Sequence, residues 1–510
     1  MVFSLYRGAV ALVVGACLAA ATAIAQPAQP PRGGTLNVAF ASDTKTLDPV
    51  FSINFSERQP LYLIYNTLLA LKPDFSLAPE LAESWELSDD GTTLTLRLRE
   101  GVKFHDGTSF DAAAVKFNLD RRLDEKVGSP QRGQLNEVVK SIEVVDPKTV
   151  VVRLKGPSPN LLGMLAQREG FMVSPAAVEK FGKDVATNPV GTGPFVFKEW
   201  VPGNRLVVER NAGYWEKGKP YLDSVVFRDI TNTAVAIQRL ITGEADYASA
   251  LSPIDIKQLQ GRPGIKLDPS EVGRWYALQF QVNKPPFDNL KLRQAIAHAI
   301  DRKRIVDIVM SGGAAISDSP TPKSLWWSAP DIKGHDYDPA KAKALLAEAG
   351  HPNGIELSLS TPQIALLQQV NQLVQEQLKA VGINVKLEPV AQSDWYPRVV
   401  QGAINFTPMR WSQRPDPDGL MTLLFHSKGA GNSTKYSNPE VDRLIEEARA
   451  ATDQNARRDA YRKVQEAVAR DLPYIPLFFS LEYAALREGV TGHQWIADEI
   501  PRLRDLAKGK

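Results

Sequence analysis

The sequence predicts a mixed α/β fold, on three observations. Strand-like alternation and helix-like periodicity are interleaved along the whole chain, several helices carry readable caps, and no internal repeat of about 20 to 50 residues is present. With 510 residues, 43% of them hydrophobic and 23% charged, the chain can bury several large cores.

After a Pro- and Gly-rich stretch from Gln26 to Gly34, Thr35-Leu36-Asn37-Val38-Ala39-Phe40 alternates as a strand does. The segment from Trp85 to Leu98 reads as a hairpin: Asp89-Asp90-Gly91 supplies the turn, and Leu94, Leu96 and Leu98 alternate with Thr95, Arg97 and Arg99. Between 288 and 301, Leu292, Ala295, Ile296 and Ala299 fall at helical spacing. Asp338-Pro339 is an N-cap and first-turn proline for a helix burying Ala342, Leu345, Leu346 and Ala349, stopped by Gly350. Leu366, Val370, Leu373 and Val374 mark another helix, which Gly382 ends before the strand-like run from Ile383 to Leu387. Asn438-Pro439 caps a helix that buries Val441, Leu444, Ile445 and Ala448.

The first 25 residues have the arrangement of a secretory signal peptide. One basic residue, Arg7, precedes an apolar run from Gly8 to Ala25 that closes on Ala23-Ile24-Ala25 before Gln26. The run is about 18 residues, short of the ~20 that span a bilayer. Val14-Gly15-Ala16-Cys17 loosely resembles a lipoprotein cleavage box, but the apolar run continues past it, which favours soluble export over a lipid anchor at Cys17. Cys17 is the only cysteine, so no disulfide framework or cysteine zinc cluster can form, and cleavage after Ala25 leaves a mature chain without thiols.

Charge and motifs narrow the function. Sixty Lys and Arg against 58 Asp and Glu give a formal charge of +2, which leaves no general basic surface for nucleic acid. Neither G-x-S-x-G, H-E-x-x-H, S-x-x-K with its partner motifs nor a P-loop occurs. The six histidines, His105, His298, His335, His351, His426 and His493, do not pair at metal-ligand spacing and read as surface or locally bonded side chains. Gly191-Thr192-Gly193-Pro194 lacks the third glycine of a dinucleotide fingerprint and leads into the strand-like Phe195-Val196-Phe197. Asp416-Pro417-Asp418-Gly419 has neither the spacing nor the downstream Glu of a calcium loop and reads as a structural turn. No cofactor or metal is expected.

Several segments together resemble the extracytoplasmic solute-binding proteins of oligopeptide, dipeptide, nickel and opine ABC importers, solute-binding protein family 5. The strongest is Leu81-Ala82-Glu83-Ser84-Trp85 followed by the run from Leu96 to Gly107 and by Asp111 to Phe117. Thr46-Leu47-Asp48-Pro49, the run Asn188 to Phe195, Gly243-Glu244-Ala245-Asp246, Pro286-Phe287, Arg293-Gln294-Ala295, Ile300-Asp301-Arg302 and the Tyr337 to Gly350 helix join it. The resemblance runs from about Gly33 to the C-terminus. It implies two α/β lobes joined by a hinge of paired crossings, with an extra subdomain inserted in the first lobe: 33–75, 185–281 and 483–510 as lobe I, 76–184 as the insert, 282–482 as lobe II. It also implies a non-catalytic, periplasmic, monomeric binding protein that encloses a solute between its lobes and delivers it to an ABC permease and ATPase complex.

For the solute itself, aromatic residues are the natural cleft lining. Trp275 and Tyr276 lie near the first expected crossing, with core packing as the other reading. The stretch Met409 to Asp418 resembles the family's second-lobe ligand loop, where peptide binders place an acidic residue after the tryptophan to hold an α-amino group. Here the stretch is one residue shorter and offers Trp411, Ser412, Gln413 and Arg414; an arginine grips a carboxylate or phosphate bidentately and cannot accept an ammonium proton. Trp326-Trp327 stands between cleft rim and loop anchor. Peptides, opine-like conjugates, oligosaccharides and metal chelates all fit the scaffold, and an exported enzyme without a recognised motif is the alternative class.

Overall fold

The computed structural model describes residues 30–40, 44–52, 54, 57–230, 232–270 and 273–509. The leader 1–25, with Cys17 and the expected cleavage site at Ala25, lies outside them. Among the described residues no helix is long and apolar enough to cross a membrane.

Three sheets organise the chain. The first has seven strands in the order Ile265–Pro269, Tyr483–Arg487, Tyr247–Ala248, Thr35–Phe40, Ser224–Asp229, Arg205–Arg210 and Phe195–Val201. Its centre is parallel: Thr35–Phe40 runs beside both Ser224–Asp229 and Tyr247–Ala248 in the same direction. The second sheet has four strands, Ala314–Ile316, Tyr474–Ser480, Trp275–Phe280 and Phe406–Trp411, and a parallel pair, Ile355–Pro362 with Ile383–Val390, stands beside it. The third is an antiparallel sheet of Ala82–Leu87, Thr93–Leu98, Thr149–Leu154 and Val139–Asp146. Each sheet has its own apolar core, which is the two-lobed arrangement with an added subdomain.

Local chemistry accounts for the elements the sequence announces. The hairpin pairs Trp85 with Leu96, Gly91 turns the chain at φ 65°, and Leu94, Leu96 and Leu98 are buried. Asp338 caps Pro339–Glu348 by accepting from the Lys341 N–H, and Asn438 caps Pro439–Ala450 by accepting from that of Glu440. Val441, Leu444, Ile445 and Ala448 form the buried stripe of that second helix.

The family-like motifs are joints. Asp111 caps the helix Ala112–Leu123, and His105, half-buried and with its pKa lowered by desolvation, bonds through Nε2 to the Gly193 carbonyl at 3.0 Å. Gly193 belongs there because a Cβ would stand 2.4 Å from the Leu63 carbonyl oxygen. Arg293 donates to three carbonyls, those of Phe287, Asp471 and Leu472, and so closes the C-terminal end of the helix Gln454–Asp471.

The pairing bears on one expected boundary. Trp275–Phe280, expected in the first lobe, hydrogen-bonds to Phe406–Trp411 and Tyr474–Ser480, both within the stretch expected in the second lobe. The return crossing runs antiparallel to 270–274, with the Ser480 N–H donating to the Arg274 carbonyl and the Ser270 N–H to that of Glu482.

Candidate functional site

Two neighbourhoods face the region of the crossings. The first belongs to the seven-stranded sheet. Phe40 ends one central strand, Ser249 and Ala250 follow the parallel strand Tyr247–Ala248, and these three residues help line a cavity of about 320 Å³. Open α/β sheets bind ligands in this place, outside the carboxyl ends of their parallel strands. Arg274 and Glu482, one from each crossing, and Glu499 from the C-terminal segment bring charge to it. Ala250 and Glu499 hold positive φ, 58° and 63°, a conformation that costs non-glycine residues energy and collects at ligand sites.

Desolvation sets the electrostatics of this cavity. The Glu499 side chain is 6% exposed, and burial pushes its carboxyl up to about 7; Arg274 opposes the shift, while Glu482 and Asp498 add to it. Glu482 is also raised by burial, against the pull of Arg274. Asp498 is already engaged in two hydrogen bonds from the Arg502 guanidinium.

The second neighbourhood is the loop after Phe406–Trp411. Register sets Trp411 opposite Trp275 and Arg410 opposite Tyr276, so the two aromatics proposed as lining point to opposite faces of one sheet. Trp275 is fully buried against Tyr474, with ring centroids 5.3 Å apart, and its Nε1 has no hydrogen-bond partner. Tyr276 stacks on Phe478 at 4.8 Å, 5% exposed. Both therefore pack the sheet. Trp411 is half-buried and meets Tyr396 edge-on at 6.2 Å, and Ser412 beside it is half-buried too.

Arg414 is exposed, and among the described residues it makes no hydrogen bond or ion pair. Its stem lies against Gly419, with Cδ 2.9 Å from where a Cβ would project. Surrounding protein removes enough water to lower its pKa, an effect that Tyr396 partly offsets. The later carboxylates are committed elsewhere: Asp416 pairs with Arg457 at 2.7 Å with both side chains buried, and Asp418 accepts from Arg449, Thr422 and Tyr461. Both carboxylates of the turn are thus held by groups of the chain itself. Gln413 is buried and donates to the Pro320 carbonyl.

Trp326-Trp327 is an anchor. Trp327 is 2% exposed, stacks with Phe75 at an interplanar angle of 8°, and joins the apolar core of the third sheet. Arg274, Glu482 and Glu499 have no signature in the sequence, because only the folded crossings bring 274, 482 and 499 together.

Two α/β lobes joined by paired crossings, with a cavity at the strand ends, define the class of two-lobed periplasmic binding proteins. The chain belongs to the bacterial extracellular solute-binding proteins, family 5, whose model matches residues 76–432. It is 34% identical over 472 residues to the glutathione-binding protein GsiB of Escherichia coli K12, covering 90% of this chain and 91% of that one. Among solved structures it is similar to HbpA2 from Haemophilus parasuis, with a TM-score of 0.88, 26% identity, and coverage of 94% of this chain and 100% of that one. It is also similar to DppA from Helicobacter pylori, an ABC transporter-associated periplasmic binding protein in complex with the peptide STSA, with a TM-score of 0.73, 28% identity, and coverage of 94% and 99%.

Proposed function

We propose that this chain is the solute-binding component of an ABC importer, capturing a peptide or peptide-like anionic solute between its lobes and presenting the closed form to the permease. Family membership and the peptide and glutathione named for its relatives support the class. The observation that carries the ligand reading is the Arg414 guanidinium, three residues after Trp411, which has no hydrogen bond or ion pair among the described residues while both nearby carboxylates are already bound to arginines. A cation without a partner among the described residues suits a solute carboxylate, which it can hold by two charge-assisted hydrogen bonds. In this reading 33–75, about 185–270 and 483–510 form the first lobe, 76–184 its insert and about 275–480 the second lobe. Closure excludes water from the solute and strengthens its polar contacts.

The protein acts in the periplasm as a monomer, released by cleavage after Ala25, and returns its solute chemically unchanged. Native mass spectrometry of the exported protein, followed by calorimetric titration with glutathione and a set of di- and tripeptides, tests this reading. The expected result is one anionic, peptide-like solute per chain, recovered intact, on a mature chain beginning at Gln26. A solute without an anionic group, or one converted during incubation, overturns it.

A further inference from the structure

We propose that the first-lobe cavity between the crossings is a subsite for an ammonium group of the solute, held by Glu499 with Glu482 beside it. This rests on the reading of the solute as peptide-like and adds the second end of that molecule. Glu482 and Glu499 meet a single cation, Arg274, in the cavity, so one carboxylate is left without a counter-charge when both are ionised. Arg274 reaches Glu499 through Oε2 at 3.5 Å; Oε1 of Glu499, on a side chain 6% exposed, has no hydrogen-bond partner.

Gln59, which lines the same cavity and is 8% exposed, likewise has a buried Oε1 without a partner. Two orphaned acceptors in one cavity call for a ligand made of donors. An ammonium has three N–H donors and no acceptor, so it matches acceptors of this kind and neutralises the excess charge. A carboxylate offers only acceptors, and an apolar group leaves both oxygens unsatisfied at a cost. The walls agree: the Trp495 indole N–H is already donated to the Asp268 carbonyl, which leaves the Trp495 ring as an apolar side for the cavity. With Arg414 taking the solute's carboxylate, the two neighbourhoods together recognise a zwitterion.

The test compares two probes, glutathione and glutaryl-cysteinylglycine, which keeps both carboxylates and lacks the amine, by calorimetry on the wild-type protein and on Glu499→Gln and Glu482→Gln. The wild-type protein is expected to bind glutathione at least tenfold more tightly than the amine-free probe. Glu499→Gln is expected to bring the two within about threefold of each other while leaving the affinity for glutaryl-cysteinylglycine near that of the wild type. Equal binding of both probes by the wild type overturns the subsite and leaves the peptide-like reading standing. If neither probe binds the folded wild-type protein, the comparison is made with the co-purified solute and its des-amino form, and equal binding of those two overturns the subsite. Discrimination that survives in folded Glu499→Gln and Glu482→Gln places the amine elsewhere and reduces the cavity to a hinge clasp.

Discussion

Gly273 and Ser480 touch where the two crossings pass: a Cβ on Gly273 would stand 1.4 Å from the Ser480 carbonyl oxygen. Backbone cannot yield there without moving the crossings, because the Ser480 N–H is bonded to Arg274 and the Leu481 N–H to Gly313. Gly273→Ala is expected to lower unfolding stability by about 1 to 3 kcal/mol, the range of forced overpacking, and to reduce solute affinity as well. Urea unfolding with an unchanged midpoint would show that the crossings are plastic.

Arg414→Ala is expected to leave stability unchanged and to cost affinity. Removing one partner of a desolvated charge pair costs roughly 2 to 5 kcal/mol, or roughly one and a half to three and a half decades in Kd. Calorimetry with the co-purified solute measures it. A loss below about threefold makes Arg414 a solvated loop residue, and a loss in Trp411→Ala alone would keep the loop as the site without its anion-binding role.

Asp416→Asn should do the opposite. The Asp416–Arg457 pair is buried on both sides, and breaking such a pair strands a charge at about 3 to 5 kcal/mol. Thermal unfolding is therefore expected to shift strongly downward in this variant. If Asp416→Asn instead melts with the wild type and binds poorly, the turn carboxylate belongs to the solute site.

Glu499 gives a pH signature. Its carboxyl titrates near 7 in the folded chain against an ordinary 4.5, so the fold prefers its protonated form. That contribution is fully present below about pH 4.5 and is lost as pH rises through 7, amounting to on the order of 3 kcal/mol. Between pH 5 and pH 8 the ligand-free wild type should lose stability relative to Glu499→Gln. Glu482, Arg274 and Asp498 surround the group in both proteins, so the difference reports Glu499 together with its coupling to Glu482. Parallel pH profiles would refute the assignment.

What the sequence discloses follows the range of the interactions involved. Asp338-Pro339 and Asn438-Pro439 announce their helices because a cap is completed within three residues. The hairpin from Trp85 to Leu98 is equally local. The packing of Trp275 and Tyr276 stays open in the sequence for the opposite reason: their burial depends on Phe406–Trp411 and Tyr474–Ser480, strands whose pairing no local pattern encodes. Arg414 was legible as a departure from a family motif, whereas the Arg274, Glu482 and Glu499 cluster is assembled by the crossings and the C-terminal segment and has no local trace.

The stacking of Trp327 on Phe75 bears on how fast the solute can leave. Trp327 arrives on a segment tied to the helix Gln454–Asp471, through Gln465 to its own carbonyl and Arg462 to that of Ser328, yet its indole lies in the core behind the third sheet. Parting these elements bares an aromatic side chain to water, and exposing apolar surface raises the heat capacity. Solute release measured from low to high temperature should then follow a curved Eyring plot, and Trp327→Ala should straighten it.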